Sequence, residues 1–98
     1  MQIEIKNFYS NIGVALRRAG YRFQHQDGEE MSFVRSLASA GFPRFHIYAS
    51  LKEDSLMLSL HLDQKKETYG DNTRHHGEYT DEGPLKEEIQ RLKNILES

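Results

Sequence analysis

The chain has no cysteine, which removes disulfides, thiolate metal sites and a cysteine nucleophile, and suits a small domain in a reducing compartment. Long hydrophobic runs are also missing. The opening residues, Met-Gln-Ile-Glu-Ile-Lys-Asn-Phe-Tyr-Ser-Asn, hold no apolar stretch of signal-peptide length, and no segment approaches a membrane span. A cytoplasmic protein with no membrane partner is expected. Charge of one sign is scarce as well: 13 Lys plus Arg against 15 Asp plus Glu leave a net charge of −2, which argues against a dedicated nucleic-acid coat while allowing a local basic face. What remains is 98 residues, 37% hydrophobic and 29% charged, enough for one modest core and therefore for a single domain over 1–98.

The pattern of apolar residues changes along the chain. Residues 2–6 alternate, with Ile3 and Ile5 on one side, as in a short edge strand. From Phe8 the spacing becomes helical through Ile12, Ala15 or Leu16 and Ala19, predicting a helix over 8–19 with Asn7 as N-cap and Gly20 ending it. Asp27-Gly28 lies between two β-prone runs, 21–26 and 30–37, and signals a tight hairpin. Residues 38–43 read as loop. Gly83-Pro84 opens a last helix with a stripe of Leu85, Ile89, Leu92 and Leu96. The charges of that helix, Lys86, Glu87, Glu88 and Arg91 to Lys93, are expected on its solvated face.

The run Arg44–Leu51 alternates with Phe45, Ile47, Ala49 and Leu51 on one face, and Leu56–Asp63 alternates with Leu56, Leu58, Leu60 and Leu62. A hairpin closing over 52–55 sets Leu51 opposite Leu56, Ala49 opposite Leu58, Ile47 opposite Leu60 and Phe45 opposite Leu62. A one-residue slip would set apolar faces against polar ones, so burial selects this register. The other face then pairs Arg44 with Asp63, His46 with His61, Tyr48 with Ser59 and Ser50 with Met57. Opposed Cβ atoms lie about 4.5–5.5 Å apart, close enough for two imidazoles to share one ion or one proton. The expected fold is α+β: an antiparallel sheet of four or five strands in the order (β)αββββα, with two helices on one face.

A long segment, 64–82, follows as a loop over or beside the sheet, and loops of that length in compact domains are usually functional or disordered. It carries His75, His76 and Glu78. If it returns across the polar face, a divalent-metal site follows, with His46, His61, Asp63, His75, His76 and Glu78 as candidate ligands. Zn²⁺ is the first candidate, and iron, manganese or nickel also suit such a set. Arg44, Tyr48, Lys65 and Lys66 would then meet substrate or support the ligands. A metal-free alternative uses the paired histidines as acid and base beside those same four residues to bind or cleave RNA or another phosphate ligand. A third is a protein-interaction or homodimer surface through the polar face. Ordinary cross-strand pairing with no ligand is the bland alternative, since exposed pairs of this kind are common and contribute little.

Three segments, Phe42-Pro-Arg-Phe-His-Ile-Tyr48, Leu60-His-Leu-Asp-Gln-Lys-Lys66 and His76-Gly-Glu-Tyr79, resemble a group of small bacterial proteins with the same motif order. That resemblance implies that the three act as one unit and assigns no catalytic residue. Leu16-Arg-Arg-Ala-Gly-Tyr-Arg-Phe23 is similar to the start of small toxins of the HicA type, which implies an α+β, RNA-cleaving relative of double-stranded-RNA-binding domains. Those toxins carry Gly-Ser-His at the following turn, where this chain has His25-Gln-Asp-Gly-Glu.

Overall fold

The computed structural model describes residues 1–64 and 82–97. Its elements are β1 (Gln2–Ile5), α1 (Ile12–Arg18), β2 (Arg22–Asp27), β3 (Glu30–Ser36), β4 (Arg44–Lys52), β5 (Ser55–Asp63) and α2 (Glu82–Leu96). The strands form one antiparallel sheet in the order β1-β5-β4-β3-β2. The fold is α+β, as the alternation of its segments predicts.

Alternation fixes the centre of the sheet. β4 and β5 pair Leu51 with Leu56, Ala49 with Leu58, Ile47 with Leu60 and Phe45 with Leu62, the register that keeps these eight apolar side chains on one face. Phe45, Ile47, Ala49, Leu56, Leu58 and Leu60 join Ile3, Ile5 and Phe33 from the flanking strands and Ala15, Leu16, Ala19, Leu85 and Leu92 from the helices in one buried cluster, with Leu62 packed against it, while Leu51 at the turn end is 47% exposed. Both helices therefore cover the same face. The opposite face carries no helix among the described residues.

The start of α1 differs from the spacing-based expectation. Asn7 has φ 56°, whereas an N-cap residue is extended. The Phe8 amide donates to the Asp54 carbonyl at 2.8 Å, so Phe8 is held in a connection tied to the β4–β5 turn. Asn11 is the N-cap: its backbone is extended at φ −79° and ψ 131°, and its side chain accepts from the Val14 amide at 3.0 Å. Phe8 and Ile12 both reach the core, which is why their spacing imitates a helical stripe. At the other end Gly20, with φ 96°, supplies the left-handed conformation that turns the chain toward β2.

A second correction concerns α2. Its apolar stripe packs as expected, with Leu92 fully buried, yet Glu88 is only 4% exposed and does not belong to a solvated face. Its carboxylate accepts from Tyr21 Oη at 2.6 Å, from Arg91 Nε and Nη2 at 2.9 and 2.8 Å, and from Arg35 Nη1 at 3.4 Å. Arg91 Nη2 also donates to the Ala19 carbonyl at 2.6 Å, one of the orphan acceptors at the end of α1. Arg35 is thereby committed to the helix-covered face and is withdrawn from any basic surface.

Candidate functional site

The polar face is built by rows that cross the sheet. One row is Arg22, Val34, His46 and His61; the next is His25, Ser32, Tyr48 and Ser59; a third is Ser36, Arg44 and Asp63. The His46–His61 and Arg44–Asp63 oppositions are those dictated by the hairpin register. β1 pairs with β5 only from Leu56 to Ser59, and Met1 extends the contact to Leu60 by a reciprocal pair of hydrogen bonds. Beyond that point, among the described residues, the end of β5 is an edge. A cleft of about 440 Å³ wraps this edge, lined by His46, Tyr48, His61 and Asp63 on the polar side and by Met1, Leu60, Leu62 and Leu85 toward the core.

From the cleft across the polar face the side chains form a chain of contacts. Arg44 Nε donates to Asp63 Oδ2 at 3.3 Å, and the Arg44 guanidinium lies 4.4 Å from the centre of the Phe42 ring. The same Asp63 oxygen stands 3.5 Å from His46 Nδ1. His46 Nε2 meets Ser32 Oγ at 2.6 Å, and Ser32 Oγ lies 3.3 Å from Gln24 Oε1. Tyr48 stacks against His46 at 4.5 Å between ring centres and meets His61 edge-on at 5.7 Å. His61 Nε2 contacts Ser59 Oγ at 3.2 Å.

Burial pulls the His46 pKa below its ordinary value; the Asp63 carboxylate opposes this shift and the Arg44 charge adds to it. The imidazole is accordingly neutral near pH 7, and only one of its nitrogens carries a proton. The placement of Gln24 decides which. Ser32 donates its hydroxyl proton to Gln24 Oε1, so its oxygen is left to accept from His46 Nε2–H. His46 Nδ1 then presents a lone pair to the Asp63 carboxylate, two acceptors facing each other across 3.5 Å. Turning the Gln24 amide reverses the chain, with Ser32 donating to Nε2 and Nδ1–H directed at Asp63; amide orientation and tautomer are one choice.

The reversed chain has the connectivity of a Ser-His-Asp relay. Ser32 is 1% exposed, however, so its hydroxyl has no access to a substrate carbonyl or phosphate. Among the described residues no group of three or more His, Asp or Glu stands at coordinating distance. The face offers two donors close together, His46 Nδ1 and Asp63 Oδ2, with His61 alongside but turned to Ser59. Lys65, Lys66, His75, His76 and Glu78 lie outside the described residues.

Ser32, Gln24 and Val34 escaped the sequence reading. Met31-Ser32-Phe33-Val34 does not alternate cleanly, so the sequence alone does not say which face each residue takes. Val34, opposite His46 and 1% exposed, is a second apolar residue on a face where Met57 was the one expected. No family model matches the chain, and neither a curated protein nor a solved structure matches it. The two resemblances read from its motifs gain no support from these comparisons.

Proposed function

We propose that the His46, His61 and Asp63 face binds one divalent cation, Zn²⁺ first, with iron, manganese and nickel as other candidates for a set of two imidazoles and a carboxylate. The observation that carries this reading is the 3.5 Å approach of His46 Nδ1 to Asp63 Oδ2. Two donors bonded to one Zn²⁺ at about 2.0–2.2 Å, at a tetrahedral angle, stand about 3.3–3.6 Å apart. The gap is long for an N–H···O hydrogen bond, whose usual upper limit is about 3.2 Å, and a cation bridging two acceptors removes their repulsion. Ser32 on Nε2 supplies the outer contact that fixes a ligating imidazole's tautomer. His61 joins by a side-chain turn away from Ser59. The reading rests on these three residues; His75, His76 and Glu78 stay as further ligands proposed from sequence. It takes the protein as cytoplasmic, where all donors are nitrogen and oxygen.

Elemental analysis of untagged protein purified without chelator, beside His46→Ala and His61→Ala, tests the proposal. About one equivalent of metal in the wild type, lost in both variants, is the expected result. No metal together with no uptake on titration overturns it. Ser32→Ala keeps all three ligands and is expected to weaken metal affinity by about 10- to 100-fold, the usual cost of an outer-contact loss.

A second reading is metal-free binding of RNA or another phosphate ligand by Arg44, Tyr48, Lys65 and Lys66, with the histidines as acid and base. The cleft shared by His46, Tyr48 and His61 favours it. Arg44 is already engaged by Asp63 and Phe42, which weakens its claim on a phosphate. Affinity for single-stranded RNA that falls steeply with salt would support this reading, and a flat salt response would remove it.

A further inference from the structure

We propose that β2 is a self-complementary edge through which two copies of the chain pair into one continuous sheet. Among the described residues β2 ends the sheet, and every residue from Arg22 to Asp27 is exposed, with Phe23 51% exposed. An edge of this kind offers a row of backbone donors and acceptors to another chain, and proteins blunt it with charged side chains such as lysine, with proline or with a bulge. Arg22-Phe-Gln-His-Gln-Asp27 contains neither lysine nor proline, and its bulge is the irregularity that a second copy would match.

The order of side chains names the partner. Run antiparallel against itself about its centre, the strand sets Arg22 opposite Asp27 of the second copy, Phe23 opposite Gln26, and Gln24 opposite His25, each pair occurring twice. Opposed residues in a sheet share a face, and in a regular strand these pairs would not, because their positions differ by an odd number. The bulge between Phe23 and His25 removes the conflict. Arg22, His25 and Asp27 pair with Val34, Ser32 and Glu30, Gln24 reaches Ser32, and all of these lie on the polar face; Phe23 and Gln26 pair with Phe33 and Met31 on the other. The face sequence from Arg22 to Asp27 is therefore the same read in either direction. A bulge on one strand alone would shift the register, but here both copies carry it at the residues that oppose each other, so the strands stay equal in length. Charge, face and bulge position all fit a second copy of this chain about a two-fold axis.

The pairing buries little beyond one strand, so the dimer should dissociate on dilution. Sedimentation of the full chain from about 10 µM to about 1 mM, a range that spans weak association, is expected to show the mass rise from one chain to two. Arg22→Asp and Asp27→Arg each set like charges opposite one another twice and should weaken association about tenfold, equivalent to about 1.4 kcal/mol. The double variant Arg22→Asp with Asp27→Arg restores opposite charges and should return the midpoint to near the wild-type value. If a single variant loses its fold by circular dichroism, amide exchange on the wild type decides: β2 amides that gain protection with protein concentration support the pairing. A single chain mass throughout, charge variants that leave the midpoint unmoved, or β2 amides indifferent to concentration would overturn it.

Discussion

Glu88 shows how far one residue's role can depart from its look in a sequence. A carboxylate in a charged run on a helix ordinarily contributes a few tenths of a kcal/mol through neighbours one turn away. Here Tyr21, Arg35 and Arg91 converge on it. Burial by itself pushes its pKa up, but the hydrogen bonds from Arg91 and Tyr21 and the arginine charges outweigh it and hold the carboxyl below its ordinary value. Glu88→Ala leaves the Tyr21 hydroxyl without its acceptor and Arg91 without its carboxylate partner, with only the Ala19 carbonyl retained, and is expected to cost about 3 kcal/mol, the lower end for breaking a buried ion pair. Tyr21→Phe removes one hydrogen bond to a charged acceptor and should cost about 1.5 kcal/mol. Urea unfolding of both single variants and the double variant checks this: the double should cost clearly less than the two singles together, because they share one contact. Strict additivity would contradict the network.

At the scale of elements, α1 offers the sharpest test. With Asn11 as N-cap, Asn11→Ala should destabilise the protein by about 1 kcal/mol. A helix beginning at Phe8 would instead place Asn11 inside its first turns, where alanine is the better residue. The sign of the change in urea midpoint distinguishes the two. Legibility followed the same physics along the chain. The β4–β5 register was readable because four apolar residues on each strand penalise every odd slip. The start of α1 was not, because Phe8 reaches the core from a connection and mimics a helical period. β3 was not either: its successive buried residues Ser32, Phe33 and Val34 serve both faces, and the alternation that assigns sides is lost. Register therefore gave Arg44, His46, Tyr48, His61 and Asp63 a common face from sequence, while Ser32 and Gln24, which set the tautomer of His46, needed the β2–β3 pairing and its bulge.

For the whole molecule, three shifted groups give stability a defined dependence on pH. The folded-state pKa of His46 lies below its unfolded value, so as pH falls through about 6.5, the unfolded value, the unfolded chain takes up a proton that the native protein refuses. Stability then declines until the folded value is passed. Glu88 adds a second decline below about 4.3, its unfolded value, as acid reaches a carboxyl held low in the fold. Tyr21 acts at the other end: burial and Glu88 push its pKa up, so stability is lost as pH rises above about 10, the unfolded tyrosine value. Urea midpoints measured against pH in the presence of chelator should show both acid steps. His46→Gln should remove the upper one and keep the lower; an upper step unchanged in that variant would refute its assignment to His46.

The most direct test of the central claim follows the histidine ring nitrogens by long-range ¹H–¹⁵N NMR while Zn²⁺ is added to metal-free protein. The account predicts a neutral His46 with its proton on Nε2, and, at one equivalent, a coordination shift at His46 Nδ1 together with a change at His61. A proton on Nδ1 with both rings indifferent to excess Zn²⁺ would contradict it and identify Asp63, His46 and Ser32 as a hydrogen-bond chain with no cation to hold.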